Sequence, residues 1–349
     1  FTYEKIMAEN GFFAGTLNAD VASIECPDKD TVVLNLKQAD ATLLGTLAWY
    51  EHFIIPKHIY ENVEDWSTCE AATSMPIGTG PYKFVSYQSG VSVVLEKNED
   101  YFQGAPKIDK LVFQIMTDDT TAVQAFYNGE IDVLDGVPTS EVLNMQNNPE
   151  IKLGCVSAAR RFQMICNMKD ETMSKWEVRK AVALSIDREE ISKKATNGLQ
   201  APAYGFYPPF LDWAYNADAD IGARDVNKAM ELLEQAGYTK DADGYYLTLT
   251  LDVFSGGTYA DCGKVIQANL KEAGINLQLN VMEMAAWAEK ISAGNYQLGI
   301  MAGYQGPDPD AMAKRIGTGA VMNYSQYSNE KVDELLARAR TLTTHEDRG

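Results

Sequence analysis

The sequence is poor in the residues that most often carry chemistry. Histidine occurs three times in 349 residues, as His52, His58 and His345. His52 and His58 stand near one another, but no carboxylate pattern joins them into a set of metal ligands, so no metal is expected. Cysteine occurs five times, as Cys26, Cys69, Cys155, Cys166 and Cys262, and no two of these form a CxxC pair. An odd count leaves at least one thiol unpaired and argues against a disulfide framework. Buried small hydrophobes are the plain role for these residues. Positive charge is sparse: 30 basic against 49 acidic side chains give a net charge of −19, and no five consecutive lysines or arginines occur. Such a surface repels nucleic acid and anionic membrane, so no nucleic-acid partner is expected. No apolar run approaches the ~18 residues of a membrane span. The opening "FTYEKIMAEN" has no charged-then-apolar leader and no initiator methionine, and "TLTTHEDRG" stops just after a helical pattern. Both ends therefore read as cut.

Several catalytic and cofactor motifs are missing too. "PIGTGPYKF" at 76–84 is glycine-rich but lacks the G-x-x-x-x-G-K-[ST] of a phosphate loop. A strand pattern follows it, so no helix N-terminus faces an anion. The dinucleotide fingerprint fails because the third glycine is absent. The stretch reads as a stiff turn, with Pro76 and Pro81 fixing φ and Gly78 and Gly80 free to take positive φ. No G-x-S-x-G elbow occurs. Carboxylate pairs such as Asp118–Asp119 and Glu189–Glu190 read as caps and solvated faces. No cofactor is expected.

What remains is ample for a packed protein. Hydrophobic residues make up 46% of the chain, and the length suits more than one lobe. The first half reads as a helix over 3–14, two strands in "SIEC" and "TVVLNL" across the turn "PDKD", and a helical stretch over 41–63 broken at Pro56. A hairpin over 82–98 and a strand in "KIDKLVFQIM" follow. Asp118 or Asp119 caps a helix that Gly129 ends. "IDVLDGVP" reads as a further strand, and "IKLGCVSAARRFQMICNM" as a pair of strands. The second half changes to helices in "KWEVRKAVALSIDREEISKKATNG" and in "RDVNKAMELLEQAGY", where Asp225 caps and Gly237 closes. Strand, helix, strand, helix, strand then run from Tyr246 to Tyr304, with parallel crossovers expected. The change in character near 155–175 marks a boundary between lobes.

Two stretches stand out as candidate sites. In "AARRFQMICNM", Arg160 and Arg161 lie on a strand, so alternation sends one of them to each face. One guanidinium could clamp a ligand carboxylate; plain surface solvation is the alternative. In "MAGYQGPDPDAMAKRIGTG", a loop holding Gly303, Tyr304, Gln305 and Asp308 follows a predicted strand. Loops at the carboxyl ends of strands are where α/β sheets take ligands. A polar turn capping the next helix is the alternative.

These motifs together resemble the family 5 extracellular solute-binding proteins, the peptide, nickel and opine receptors of ABC importers. "PIGTGPYKFVSYQSGVSVVLEKNEDYFQGAPKIDKLVF" is similar to the family's signature. "ALSIDREEI", "KAMELLEQAGY", "VIQANLKEAGINLQL", "YQGPDPDA" and "YSNEKVDELLARA" follow in family order across nearly the whole chain. The resemblance implies an α/β fold of two lobes, periplasmic-binding-protein-like (type II), with an extra subdomain and a first lobe left incomplete. On that basis residues 1–75 are expected to be the subdomain of the first lobe, 76–158 the partial remainder of that lobe, and 159–349 the second lobe. It further implies a monomeric, non-enzymatic receptor outside the cytoplasm, lipid-anchored or periplasmic. Such a receptor holds a small peptide or a carboxylated solute in an inter-lobe cleft and delivers it to membrane permease subunits. Ligand binding is then expected of Arg160, Arg161, Gly303, Tyr304, Gln305 and Asp308. Peptide-binding members carry an aspartate soon after the strand equivalent to "GIMAGY"; Pro307 stands near that place here, with Asp308 beside it. A metal-chelate or opine receptor and a ligand-sensing receptor are the nearest alternatives. An extracellular hydrolase lacks a nucleophile motif.

Overall fold

The computed structural model describes residues 1–8, 17–18, 20–48, 52–65, 68–154, 160–209, 211–256, 258–304 and 308–349. The chain divides into two compact units, residues 1–37 with 46–149, and residues 38–45 with 150–349.

The first unit is built on local hairpins. Helix α1 (Thr2–Ala8) opens it; the rest of the expected helix over 3–14 lies outside the described residues. Strands β1 (Val21–Glu25) and β2 (Val33–Leu36) pair antiparallel across the expected turn. The expected helical stretch over 41–63 is reduced to short turns at Leu43–Leu47 and Lys57–Tyr60, the second opening behind Pro56. Strands β3 (Tyr82–Gln88), β4 (Ser92–Lys97) and β5 (Lys110–Gln114) form an antiparallel sheet in that order. Neighbours Val112 and Phe113 are both exposed, so apolar side chains reach solvent on both faces of this sheet. Helix α2 (Asp119–Tyr127) starts where the Asp118 carboxylate accepts the Thr121 N–H at 2.8 Å, and buries Val123 and Ala125. Helix α3 (Thr139–Gln146) follows Pro138.

Two strand expectations need correcting. Residues 131–138 form no strand: Gly136 takes φ +74° and Pro138 has no N–H to give, so the segment bends into α3 instead of entering a ladder. Of the strand pair expected over 151–168, the described residues form one strand, β6 (Arg160–Cys166). Residues 151–154 are irregular, and 155–159 lie outside the described residues.

The second unit holds the large core. Helix α4 (Trp176–Ser185) buries Val178, Ala181 and Val182, and α5 (Arg188–Thr196) is capped by Asp187, which accepts the Glu190 N–H at 2.9 Å. Helix α6 (Val226–Gln235) has the apolar stripe its sequence indicates, with Ala229, Leu232 and Leu233 buried, and Asp225 caps it through the Lys228 N–H. Then come β7 (Leu247–Phe254), α7 (Tyr259–Glu272), β8 (Ile275–Met282), α8 (Met284–Ser292) and β9 (Leu298–Tyr304). The sheet order is β6-β9-β7-β8. β7 runs parallel to both β8 and β9, and β6 is antiparallel to β9.

That order dictates where the helices go. The β7-to-β8 and β8-to-β9 crossovers travel in opposite directions across the sheet. Crossovers of one hand then place α7 and α8 on opposite faces. The contacts agree. Phe162 packs on Tyr259 of α7, with ring centroids 4.7 Å apart. On the other face, a Cβ on Gly299 would lie 2.9 Å from Ile291 of α8 and 3.3 Å from Ile165. Leu249, Leu251, Leu270, Ile275 and Leu298 are fully buried between these layers. On the α8 face Asp252 is buried, accepting Lys290 Nζ at 2.6 Å and the Asn280 amide at 2.7 Å.

Candidate functional site

Strand polarity brings the two stretches singled out from sequence together. The parallel strands β7 and β9 end at Phe254 and Tyr304, and the antiparallel β6 begins at that same end of the sheet. Arg160 pairs with Tyr304 and Arg161 with Gly303 on consecutive rungs. Arg160 and Tyr304 are described by backbone only, and Gln305 lies outside the described residues.

Arg161 reaches from its rung along the sheet face. One Nη donates to Gln163 Oε1 at 2.7 Å, two residues along the same face, and the other donates to the carbonyl of Phe206. The guanidinium carbon sits 4.9 Å from the centroid of the Phe206 ring. Its Nε is buried with no hydrogen-bond partner among the described residues. Burial, with the nearby charge of Arg315, pulls the Arg161 guanidinium down to about 10, although Tyr207 opposes the change. The group is therefore charged at neutral pH, in surroundings that supply little to offset that charge.

Gly303 explains the presence of Arg315, which sits on the short helix α9 (Ala313–Ile316). A Cβ on Gly303 would lie 2.5 Å from Arg315 Nη2 and 3.3 Å from its Cζ. The guanidinium thus occupies the place that any side chain at position 303 would fill. Burial lowers the Arg315 pKa as well.

The acids of the loop are already engaged. Asp308 Oδ1 accepts the Asp310 N–H at 2.9 Å and caps the 3-10 turn Pro309–Met312, the plainer of the two roles expected for it. Both its oxygens also receive Arg348, each at 2.7 Å. Arg348 is buried at the end of the short helix α11 (His345–Arg348) and lies over the Trp213 ring, which stacks on His345. Asp310 faces Arg340 of α10 (Glu330–Thr341) at 3.5 Å, and Arg340 also reaches Asp40 at 3.2 Å. Burial raises the Asp310 carboxyl, with Arg340 opposing. Tyr207 stands among these charges; burial raises its hydroxyl, Asp310 and Asp308 add to that, and Arg161 and Arg348 offset part of it.

Arg315, Phe206 and Tyr207 were not picked out from sequence. The available signal was Gly303 itself, because a glycine inside a strand often marks a close approach by another group. Among the described residues no group of three or more His, Cys, Asp or Glu is placed to hold a metal, and no helix is long and apolar enough to cross a membrane.

Comparison with known proteins adds to this geometry. Residues 1–324 match the family described as bacterial extracellular solute-binding proteins, family 5 Middle. The chain is 28% identical over 339 residues to the oligopeptide-binding protein AppA of Bacillus subtilis (strain 168), an alignment covering 92% of this chain and 62% of that protein. It therefore spans less than two thirds of the length of that curated relative. Its fold is similar to that of the ABC transporter substrate-binding protein CtaP of Listeria monocytogenes, with a TM-score of 0.86 and 27% identity over 100% of this chain and 71% of the other. It is also similar to AgaA from A. tumefaciens R10, solved with agropinic acid, at a TM-score of 0.80 and 27% identity over 99% of this chain and 70% of the other. The expected α/β fold of the periplasmic-binding-protein kind is thereby shown.

Proposed function

The chain belongs to the bacterial extracellular solute-binding proteins of family 5, and from that premise we propose that it is the binding component of an ABC importer. It captures a small peptide or a peptide-like, carboxylated solute and delivers it to permease subunits in the membrane. The observation that carries this reading is Arg161, a half-buried guanidinium at the carboxyl end of the parallel strands with a donor left unused. That end of an α/β sheet is the usual place for a ligand, and a carboxylate is the natural partner of the guanidinium fork. Capture shifts a conformational equilibrium and makes or breaks no covalent bond. The protein acts outside the cytoplasm, lipid-anchored or free in a periplasm, as a monomer.

An opine is the alternative cargo, favoured by the likeness to the AgaA structure with agropinic acid. Native mass spectrometry of protein purified from cells is expected to reveal a carried solute. Arg161→Ala is expected to weaken an acidic solute by about 2–3 kcal/mol. Unchanged affinity in both the Arg160→Ala and Arg161→Ala variants would remove the clamp. A persistently empty protein that turned over peptides or glycosides would remove the receptor reading altogether.

A further inference from the structure

Directly opposed residues of an antiparallel pair project from the same face of the sheet. Arg161 opposes Gly303, so the missing side chain of Gly303 would point to the face that carries the Arg161 side chain. Opposed residues Ile165 and Gly299 obey the same rule four rungs along, where a Cβ on Gly299 would touch Ile165. The place that Gly303 leaves open is filled by the guanidinium of Arg315. Two guanidiniums therefore sit on one rung and one face, near enough for each charge to matter to the other. Among the described residues neither lies within ion-pair distance of a carboxylate, while Asp308 and Asp310 are taken by Arg348 and Arg340. Holding two like charges together without a counterion is costly when the groups are half-buried. Such an arrangement suits a site whose missing charge arrives from outside.

We infer that Arg161 and Arg315 together form a two-guanidinium receptor for the carboxylate of the transported solute, and that Gly303 is the residue that admits Arg315 to it. The inference rests on the proposed solute-binding function and deepens it. It makes the acid group of the ligand the point of recognition and gives Arg315 an equal share with Arg161. No proton or covalent bond changes hands; a carboxylate exchanges water for the N–H donors of two forks.

The test uses purified protein with two probe pairs, trialanine against trialaninamide and succinate against succinamide, measured by calorimetry. Wild type is expected to prefer an acid to its amide. Arg315→Gln is expected to lose about tenfold or more in affinity for the acid, and much less for the amide. Its melting temperature without ligand is expected to rise, because one of two repelling charges is gone. A merely structural arginine would lower it. Gly303→Ala is expected to reproduce the affinity loss with the charge still present, since its methyl would displace the guanidinium. Arg315→Gln with wild-type preference for the acid overturns the inference. So does an equal loss for acid and amide with a lowered melting temperature. If Arg161→Ala loses acid preference while Arg315→Gln and Gly303→Ala keep it, the pair is refuted and the solute-binding reading survives. Wild type that binds none of the four probes overturns the pair, and an empty protein in native mass spectrometry would then take the solute-binding reading with it.

Discussion

At the scale of single residues, Arg161 makes a pH prediction with two opposite signs. Its folded pKa is lowered to about 10, so the folded chain holds this proton less tightly than the unfolded chain does. Stability then rises as pH climbs through about 10, because the unfolded state binds more protons there. Affinity for a carboxylate falls over the same range, as the clamp loses its charge. Thermal melts and acid-binding titrations from pH 8 to 11 on wild type and Arg161→Gln check this. The gap between the two proteins is expected to close in both measurements, and the lysines titrating in that range cancel in the comparison. Legibility from sequence was uneven at this scale. Asp118 and Asp225 could be read as caps because a cap needs only its own next three residues, whereas Asp187 emerges as a cap only in the structure. Arg161 could be proposed from its odd placement on a strand. Arg315 could not, because its role depends on a fold that carries α9 back over Gly303. Asp308 was legible only as two competing roles, and Arg348, far along the chain, occupies its carboxylate.

At the scale of elements, the strands and helices of the second unit follow their sequence patterns closely, since each buries a complete stripe or face. The strand expected at 131–138 failed where positive φ at Gly136 and the missing N–H of Pro138 outweighed an apolar pattern. Two substitutions probe what holds these elements. Asp225→Ala removes the N-cap of α6 and is expected to cost about 1 kcal/mol in denaturant unfolding. Lys290→Met leaves the buried Asp252 without its ammonium and is expected to cost more, about 3 kcal/mol, because an uncompensated buried charge remains. A double variant, Asp252→Asn with Lys290→Met, is expected to recover part of that loss. If Lys290→Met costs no more than an exposed ion pair would, the Asp252 contact adds little to the joining of α8 to the sheet.

At the scale of the whole molecule, the two units differ in how they protect their backbone. The continuous core running from Ile165 to Met301 belongs to the second unit, whereas the β3-β4-β5 sheet exposes apolar side chains on both faces. Amide hydrogen exchange is therefore expected to be slowest in β7, β8 and the middle of β9, and faster by orders of magnitude in β3 to β5. Equal protection in the two sheets would contradict this reading. The β6–β9 ladder carries one more consequence, which concerns time. Arg160 waits for Tyr304, and the Asn167 amide for the carbonyl of Gly294, 127 residues further on. A ribosome delivers β6 long before its partner exists, and pairings so distant in sequence form slowly. The emerging chain thus stays open at this edge until β9 has been made. That delay makes closure of the β6 edge one of the late events in the folding of this sheet.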